Sequence, residues 1–325
     1  MPNRNPKVSV CIPTYNSEKY LREAIQSVLN QTYTDYELII SDNDSNDNTS
    51  EIIQSFKDSR IKYYRNQENI GIGKNFNHCI KKSIGQYITI FHSDDVMLPN
   101  NLELKVKILE KNSSVGLVHS NIYTINDSGA IIGGHFAINN LPSTSLVESG
   151  TIVFRKLMIG TNIISAPSVM TRRNCYERVE YFNSRLRFIV DWEMWLRIAL
   201  HFDIAYISTP LLKNRVHKNQ ETNKFYEKIT DIIEEFQAKK NILRRYKNQI
   251  SGYNGLRQEM LHKTSIRAIE KGMITQRHPK IAFQYLLLAF KNYPRIITDR
   301  NFWRFFLNPF KILVRCAIFK SKKEK

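Results

Sequence analysis

The first hundred residues alternate between strand-like and helix-like patterns, and this alternation constrains the fold more than any other feature of the chain. Short apolar runs are separated by segments whose apolar residues recur every three or four positions, as on one face of a helix. The alternation predicts an α/β fold with a mostly parallel sheet flanked by helices. Strands are predicted over residues 8–12 (stopped by Pro13), 37–40, 61–64 and 87–91, and helices over 17–29, 49–56 and 73–83.

The middle of the chain has a mixed pattern. Asn-Asp-Ser-Gly at residues 126–129 favours a hairpin turn between two apolar strands. Helices are predicted over 148–158 and 191–200, and a strand over 204–212.

From about Lys224 the spacing is typical of successive amphipathic helices, the last predicted over 301–319 with a break at Pro309. Aromatic residues among Lys and Arg are typical of interfacial helices, which predicts association with an anionic membrane surface. The alternative is that these aromatics pack against the first domain or at a dimer interface. The predicted domains are 1–222, with halves 1–100 and 101–222, and a C-terminal helical extension over 223–325.

The composition restricts the partners and the compartment. A formal net charge of +18 over 325 residues attracts nucleic acid, anionic lipid or phosphorylated substrates. No nucleic-acid-binding module accompanies that charge, so nucleic acid is not an expected partner. The four cysteines are widely scattered, which is typical of a reducing compartment. The first apolar run is too short for a signal peptide, and no stretch predicts a membrane span, so a cytoplasmic protein is expected.

Two polar clusters follow predicted strands, where ligands of open parallel sheets bind. Residues 13–16 (Pro-Thr-Tyr-Asn) could stack on a base and bond its edge, or form an ordinary loop with a helix cap at Asn16. Residues 41–49 are dense in Asp and Asn, which suits a hydrogen bond to a nucleobase. The alternative for that cluster is a turn with a helix cap at Asp47 or Asn48.

Three further motifs carry charge. Asp94 and Asp95 follow an apolar strand, and adjacent carboxylates suit Mg²⁺ or Mn²⁺, although a solvated turn would also explain them. Asp191 opens a predicted helix, as a general base or as a helix cap. Arg215 and His217 suit a diphosphate or a metal, or are part of a basic surface.

The order of these motifs resembles the family 2 glycosyltransferases with the GT-A fold. The resemblance covers about residues 7–220, and the series as a whole is far more specific than any one piece. Its pieces are Val-Ser-Val-Cys-Ile-Pro-Thr-Tyr-Asn at 8–16, Ser-Val-Leu-Asn-Gln-Thr-Tyr at 27–33, Glu-Leu-Ile-Ile-Ser-Asp-Asn at 37–43, Asn-Ile-Gly at 69–71, Gly-Gln-Tyr-Ile at 85–88, Ser-Asp-Asp at 93–95 and Asp-Trp-Glu-Met-Trp-Leu-Arg at 191–197.

The resemblance implies a role for each matching residue. Asp191 corresponds to the catalytic base, Asp95 to a metal ligand together with His217, and Arg215 to a diphosphate contact. Asp94 would contact the ribose. The nucleotide-binding residues implied by the resemblance are Pro13, Thr14, Tyr15, Asp42, Asn43, Asn69, Lys74 and Asp94.

The resemblance also implies an activity. The chain is expected to be an inverting, Mn²⁺- or Mg²⁺-dependent enzyme that moves one sugar from a nucleotide-sugar, UDP- or dTDP-linked, to a glycan or lipid-linked acceptor. The setting would be bacterial surface polysaccharide or O-antigen (lipopolysaccharide) synthesis at the inner face of the cell membrane. The Gln-x-x-Arg-Trp motif of processive relatives is missing, which favours addition of a single sugar. Departures from the family pattern at Asn43, Asp44 and His92 affect the base contacts.

Other functions are compatible with parts of the same sequence. A nucleotidyltransferase also uses paired acids and a metal, but it would release pyrophosphate. A basic protein that binds nucleic acid or membrane without catalysis, or a catalytically silent scaffold, would explain the charge but not the three acids.

Overall fold

The computed structural model describes residues 5–134, 143–218, 220, 229–275 and 279–304. Contacts among them divide the chain into two compact units. The first unit comprises residues 1–157 and 161–218, and the second comprises residues 158–160 and 219–325.

The first unit is built from strands and helices that alternate along the chain. Its strands are β1 (Val8–Thr14), β2 (Tyr36–Asp42), β3 (Ile61–Arg65), β4 (Tyr87–Ile90), β5 (Val96–Met97), β6 (Val115–Ile125), β7 (Ile131–Gly134), β8 (Leu146–Glu148), β9 (Met170–Arg172) and β10 (Asp203–Arg215). Its helices are α1 (Leu21–Leu29), α2 (Thr49–Ser55), α3 (Ile72–Lys82), α4 (Asn101–Lys111), α5 (Gly150–Ile159), α6 (Arg173–Val179) and α7 (Val190–Ala199).

The described strands form one sheet in the order β3-β2-β1-β4-β9-β6-β10-β5, with β7 beside β6 and β8 beside β10. Strands β1 to β4 are parallel to their neighbours among themselves, and β6 is parallel to β10. The short strands β5, β7, β8 and β9 pair antiparallel. The predicted α/β class is confirmed, and the sheet is mixed in its second half.

Helices cover both faces of the sheet. Alternate β1 residues belong to the core formed with α1 and α4, as successive side chains on a strand point to opposite faces. The intervening Cys11 is also completely buried, as are Cys79 of α3 and Cys175 of α6, and all three are free thiols. These three cysteines therefore act as small buried apolar residues of the core.

Strand β1 extends through Pro13 to Thr14, so the prediction that Pro13 stops it was wrong. The Cys11 carbonyl accepts the Phe91 N–H on the β4 side, and Pro13, two residues further, points to that same side. Strand β4 pairs with β1 only as far as Ile90, so the N–H that proline lacks has no strand to bond there. The extension carries Thr14 to the edge of the sheet.

Two helix boundaries also differ from the prediction. Helix α1 begins at Leu21 rather than at 17, because Asn16 has a φ of 48° and the Ser17 N–H donates to Thr49 Oγ1 at 2.9 Å. Glu148 belongs to β8, and α5 begins only at Gly150.

The predicted hairpin is confirmed: Gly129 has a φ of 84°, and its N–H donates to the Asn126 carbonyl.

The second unit consists mainly of helices α8 (Thr230–Arg245), α9 (Tyr253–Ile274) and α10 (Pro279–Asn292). Its interior includes an ion pair between Lys239 Nζ and Glu235 Oε1 at 2.7 Å, and both side chains are almost completely buried. Of the predicted last helix only residues 301–304 are described, and they are helical. The rest of that prediction, including the break at Pro309, lies outside the described residues. No helix among the described residues is long and apolar enough to cross a membrane.

Candidate active site

The carboxyl ends of several strands bring the predicted residues to one edge of the sheet. Thr14 ends β1 and lies beside Asp42, which ends β2. Asp94 and Asp95 follow β4, and Arg215 is the last residue of β10. This edge is where open α/β sheets bind their ligands.

The Asp95 carboxylate is completely enclosed by protein, with none of its side chain exposed. Its Oδ1 accepts the backbone N–H of Arg215 at 2.8 Å and the side-chain amide of Asn214 at 3.0 Å. Burial raises the pKa of Asp95 well above its usual range, and the neighbouring charge of Asp94 raises it further. A carboxylate pair in such surroundings is costly unless a cation accompanies it.

His92 completes a group of three potential metal ligands with Asp94 and Asp95. One ligand atom from each lies within 4.8 Å of the others. Carboxylate oxygens and an imidazole nitrogen suit a hard divalent ion such as Mn²⁺, so the residues present fit the predicted metal. From the sequence, His92 was noted only as a departure from the family pattern. Its position directly before Ser-Asp-Asp is the signal that could have identified it as a potential metal ligand.

His217 lies against this group through Asp94. Its Nε2 is 3.0 Å from Asp94 Oδ2, and its ring lies 5.0 Å from the ring of Tyr20. Burial opposes the ionisation of Asp94, but the hydrogen bond with His217 holds the pKa of Asp94 below its usual value. A ligand role for His217 stays a prediction.

The Arg215 side chain is almost completely buried, and each nitrogen of its guanidinium group donates a hydrogen bond to the protein. Nε donates to the Asp94 carbonyl at 2.9 Å, and one terminal nitrogen donates to the carbonyls of Asn126 and Asp127 at 3.1 Å. The other terminal nitrogen donates to Glu23 Oε2 at 2.5 Å. Arg215 therefore joins the loop of Asp94 and Asp95, the hairpin and α1. Direct contact of Arg215 with a diphosphate stays a prediction.

The Asp42 carboxylate accepts hydrogen bonds from its own turn and from β3. Its Oδ1 accepts the backbone N–H of Ser45 at 2.9 Å and the Ser45 hydroxyl at 2.6 Å, while its Oδ2 accepts the Tyr63 hydroxyl at 2.9 Å. These bonds correspond to the turn interpretation of the 41–49 cluster. The alternative base contact of Asp42 or Asn43 stays a prediction.

Asn43 and Asn69 meet, although 26 residues separate them in sequence. The Asn43 amide donates to Asn69 Oδ1 at 2.8 Å, and Asn43 Oδ1 accepts the Ile70 N–H at 3.0 Å. Gly71, which precedes α3, has a φ of 82°, a conformation that glycine adopts without strain. The Asn-Ile-Gly motif thus fastens the start of α3 to the end of β2.

The remaining predicted nucleotide-binding residues differ in exposure. Thr14 is buried, and its Oγ1 has no hydrogen-bond partner within the described part of the chain. Tyr15, immediately after it, is 43% exposed, as a stacking platform would need to be. Pro13 is half-buried, and Lys74 on α3 is exposed.

Asp191 lies in the first turn of α7. Ile189 occupies the N-cap position, so the alternative that Asp191 is the helix cap was wrong. The Asn162 amide donates to Asp191 Oδ2 at 2.9 Å. Burial raises the pKa of Asp191 to about 6, although backbone N–H groups and Asn162 oppose the rise. A carboxylate with such a pKa is well suited to accept a proton near neutral pH.

A small cavity of about 10 Å³ lies beside Asp191, close to the size of one water molecule. Trp195, one helical turn after Asp191, also lines it, and its indole Nε1 is buried without a partner among the described residues. Phe76 lines the same cavity, and its ring stacks on that of His92 at 6.4 Å. Phe76 thus connects the surroundings of the candidate base with the group of potential metal ligands.

The rest of the α7 motif has a structural role. Arg197 forms two hydrogen bonds with the Glu193 carboxylate, at 3.0 and 2.8 Å, and both side chains are buried. Arg197 also donates to the carbonyl of Tyr181 at 2.9 Å, and to those of Val179 and Glu180. This network holds the chain that leads from α6 towards α7.

Comparison with known proteins identifies the family. The glycosyl transferase family 2 model matches residues 9–179, more than half of the chain. The chain belongs to glycosyl transferase family 2. The family 2 prediction is confirmed, and with it the prediction of a glycosyltransferase.

Curated relatives of this family 2 glycosyltransferase are themselves named as glycosyltransferases. An uncharacterized glycosyltransferase of Methanocaldococcus jannaschii is 32% identical over 65% of this chain and 71% of its own length. The UDP-Glc:alpha-D-GlcNAc-diphosphoundecaprenol beta-1,3-glucosyltransferase WfgD of Escherichia coli is 29% identical over 68% of this chain and 81% of its own length. The match spans only 36% of a longer uncharacterized glycosyltransferase of Rickettsia felis.

Solved structures share the fold. S. aureus TarS 1-349 in complex with UDP-GlcNAc superposes with a TM-score of 0.58 at 16% identity, over 89% of this chain and 92% of that one. The mannosyltransferase PcManGT from Pyrobaculum calidifontis, in complex with GDP-Man and Mn²⁺, gives a TM-score of 0.55 at 17% identity, over 94% and 86%. These likenesses confirm the GT-A fold of the family 2 glycosyltransferase.

Proposed function

We propose that this glycosyltransferase transfers a single sugar, with inversion, from a UDP- or dTDP-sugar to a hydroxyl of a lipid-linked glycan. The proposal rests on one observation, that the acidic residues of the site have two different surroundings. Asp94 and Asp95 form a group suited to a divalent ion, whereas Asp191 stands apart, beside a cavity, with a pKa raised to about 6.

The chemistry would be one displacement. The acceptor oxygen attacks the anomeric carbon, the bond from that carbon to the diphosphate oxygen breaks, and the acceptor proton passes to Asp191. Attack from the side opposite the leaving group inverts the anomeric centre. His92, Asp94 and Asp95 would hold Mn²⁺ or Mg²⁺, which when bound supplies positive charge for the departing nucleoside diphosphate.

The other residues of the edge would bind the nucleotide. The exposed ring of Tyr15 would stack on the base. The hydroxyl of Thr14, which has no partner among the described residues, would bond to the base or ribose. Asn43 and Asn69 would shape the pocket through their mutual hydrogen bond. Arg215 would support the metal site, because it bonds to the backbone of Asp94.

Two comparisons support the donor and the acceptor. TarS was solved with UDP-GlcNAc, and the name of WfgD specifies UDP-Glc and a diphosphoundecaprenol-linked acceptor. A diphosphate-linked lipid acceptor would place the first unit, as the catalytic domain, at the inner face of the cell membrane. Synthesis of a bacterial surface polysaccharide such as an O-antigen would be the setting.

Thermal unfolding with nucleotides would test the donor assignment. UDP, dTDP, GDP and CMP would each be added with Mn²⁺ or with EDTA. A nucleotide at 100 times its dissociation constant stabilises by about 2.7 kcal/mol, which for a chain of this size raises the unfolding midpoint by about 4 °C. We expect this rise with UDP or dTDP and Mn²⁺ only. A rise with none of the four would contradict the proposal, and release of pyrophosphate during turnover would favour a nucleotidyltransferase.

Asn162 offers a test of the base that does not remove it. Because the Asn162 amide lowers the pKa of Asp191, replacing Asn162 with alanine should raise that pKa. The acid limb of the pH profile of kcat/KM should move to higher pH, with the plateau at high pH reduced less than tenfold. Asn112→Ala removes an amide bonded only to a helix carbonyl and should leave the limb in place. An unmoved limb in Asn162→Ala would argue against Asp191 as the titrating base.

A further inference from the structure

Helix α10 has an apolar stripe on its exposed side. Phe283, Leu287 and Phe290 are 54%, 50% and 45% exposed, and their spacing of four and three residues places them on one face. The opposite face is buried in the second unit through Ala282, Tyr285, Leu286 and Ala289. Burial within this unit therefore accounts for one side of α10 and leaves the stripe in contact with solvent.

Lysines border the stripe along the helix. Lys280 precedes Phe283 by three residues, Lys291 follows Leu287 by four, and both are exposed. On a helix such neighbours share a face, so each ammonium group lies at an edge of the apolar surface. Their aliphatic stems can lie along an apolar layer while the charged ends stay in water.

The surrounding sequence has one sign of charge. Residues 279–304 include five Lys or Arg and a single acid, Asp299. Asp299 bonds to His262 Nε2 at 2.8 Å, so its charge is partly compensated within the unit. Such a surface is complementary to an anionic partner rather than to a second copy of an equally cationic face.

The residues after α10 extend the apolar surface. Ile297 and Trp303 are 43% and 56% exposed, and the Trp303 indole donates to the Ile297 carbonyl at 2.8 Å. An exposed indole beside Lys and Arg is typical of the boundary between apolar lipid and headgroups. Apolar stripe, flanking cations and exposed tryptophan together are the features of a helix that lies in a membrane interface.

We propose that α10 docks on the surface of an anionic phospholipid bilayer, with Phe283, Leu287 and Phe290 entering the interface and Lys280 and Lys291 meeting the headgroups. The lipid-linked acceptor of the proposed function gives this docking its purpose, but the docking does not require that function. An enzyme held at the bilayer meets an acceptor that is confined to the same surface.

Co-sedimentation of the full chain with vesicles tests the proposal. Vesicles of phosphatidylcholine with 30% phosphatidylglycerol would be compared with pure phosphatidylcholine, at low and high salt. We expect binding to the anionic vesicles that weakens with salt. The combined change Phe283→Ser, Leu287→Ser and Phe290→Ser should weaken it at least tenfold, and Lys280→Gln with Lys291→Gln by roughly 30-fold.

A matched variant controls for the loss of exposed apolar residues in general. Ile131 and Ile132 are 54% and 61% exposed on β7 of the first unit, and changing both to serine should leave vesicle binding unchanged. Each variant must also keep its unfolding midpoint and its Mn²⁺-dependent nucleotide binding. That second measurement separates failure of docking from failure of the proposed function.

Three results would overturn the proposal. The first is no binding of the wild-type chain to anionic vesicles at low salt. The second is binding of the triple serine variant that equals that of wild type, which would assign the binding to other residues. The third is a dimer in light scattering that the triple serine change dissociates, with no vesicle binding. That result would make the stripe an interface between two copies.

Discussion

Replacing Asp191 with asparagine is expected to lower kcat by 100-fold to 10,000-fold, the usual contribution of a positioned general base. Asparagine keeps the shape of the side chain but cannot take up the acceptor proton. Binding of nucleotide with Mn²⁺ should not change, because Asp191 is not part of the metal-binding group. Steady-state kinetics with a lipid-linked or soluble acceptor, together with nucleotide binding, would measure both effects.

The same residue determines the expected dependence on pH. A base acts only when it is deprotonated, and burial raises the pKa of Asp191 to about 6. Activity should therefore be complete well above pH 6 and fall about tenfold for each pH unit below it. This acid limb should disappear from the residual activity of Asp191→Asn.

Asp203→Asn is a suitable control for this change. Asp203 is a carboxylate of the same unit that accepts the Gly150 N–H at 3.1 Å, outside the site. Its replacement should leave kcat within about twofold of wild type. A similar small effect in Asp191→Asn, in a folded protein, would remove Asp191 from the proposed mechanism.

Replacing Asp95 with asparagine is expected to abolish the Mn²⁺-dependent stabilisation by nucleotide and to lower activity at least 100-fold. The carboxylate is the most enclosed member of the metal-binding group, and losing one anionic ligand weakens both the metal and the diphosphate it would hold. Titration with Mn²⁺ and thermal unfolding with UDP would measure the loss.

Without metal and nucleotide, replacing Asp95 with asparagine should not lower the thermal stability of the protein. Burial and Asp94 raise the pKa of Asp95, so ionisation of this carboxyl lowers the stability of the fold as the pH rises. Asparagine removes this charge, and its carbonyl can still accept the Arg215 N–H. We expect the unfolding midpoint without metal to be equal to or higher than that of wild type, with Asp203→Asn again as control. Unchanged Mn²⁺-dependent nucleotide binding would contradict the metal site.

The sequence predicted where the site residues lie in the fold better than it predicted what each of them does. The reason is that their hydrogen-bond partners are distant in the chain. The order of strands and helices placed Asp94 at a strand end, where the structure has it. Its partner His217 lies 123 residues away, and nothing local to either residue predicts the pairing. The same holds for Arg215, expected as a cation facing a diphosphate but engaged with a hairpin and α1.

The α7 motif shows the same division. Its helical spacing predicted a helix over 191–200, and the structure confirms this helix as α7, with Trp195 buried. The indole nitrogen of Trp195, which has no partner in the described part of the chain, and the amide of Asn162 beside Asp191 were not predicted, because each depends on which distant segment packs there.

The sequence by itself determined the α/β class, the approximate elements and the acids at the strand ends, which follow from short-range periodicity and from the rule that parallel strands present their carboxyl ends to one edge. It also determined the family, through the resemblance of its ordered motifs to those of family 2 glycosyltransferases. Only the tertiary structure decided which side chains are buried together: the grouping of His92 with Asp94 and Asp95, the enclosure of Asp95, and the exposed stripe on α10. Burial and charge pairing depend on contacts between residues far apart in the chain, and those contacts set the pKa values on which the proposed chemistry rests.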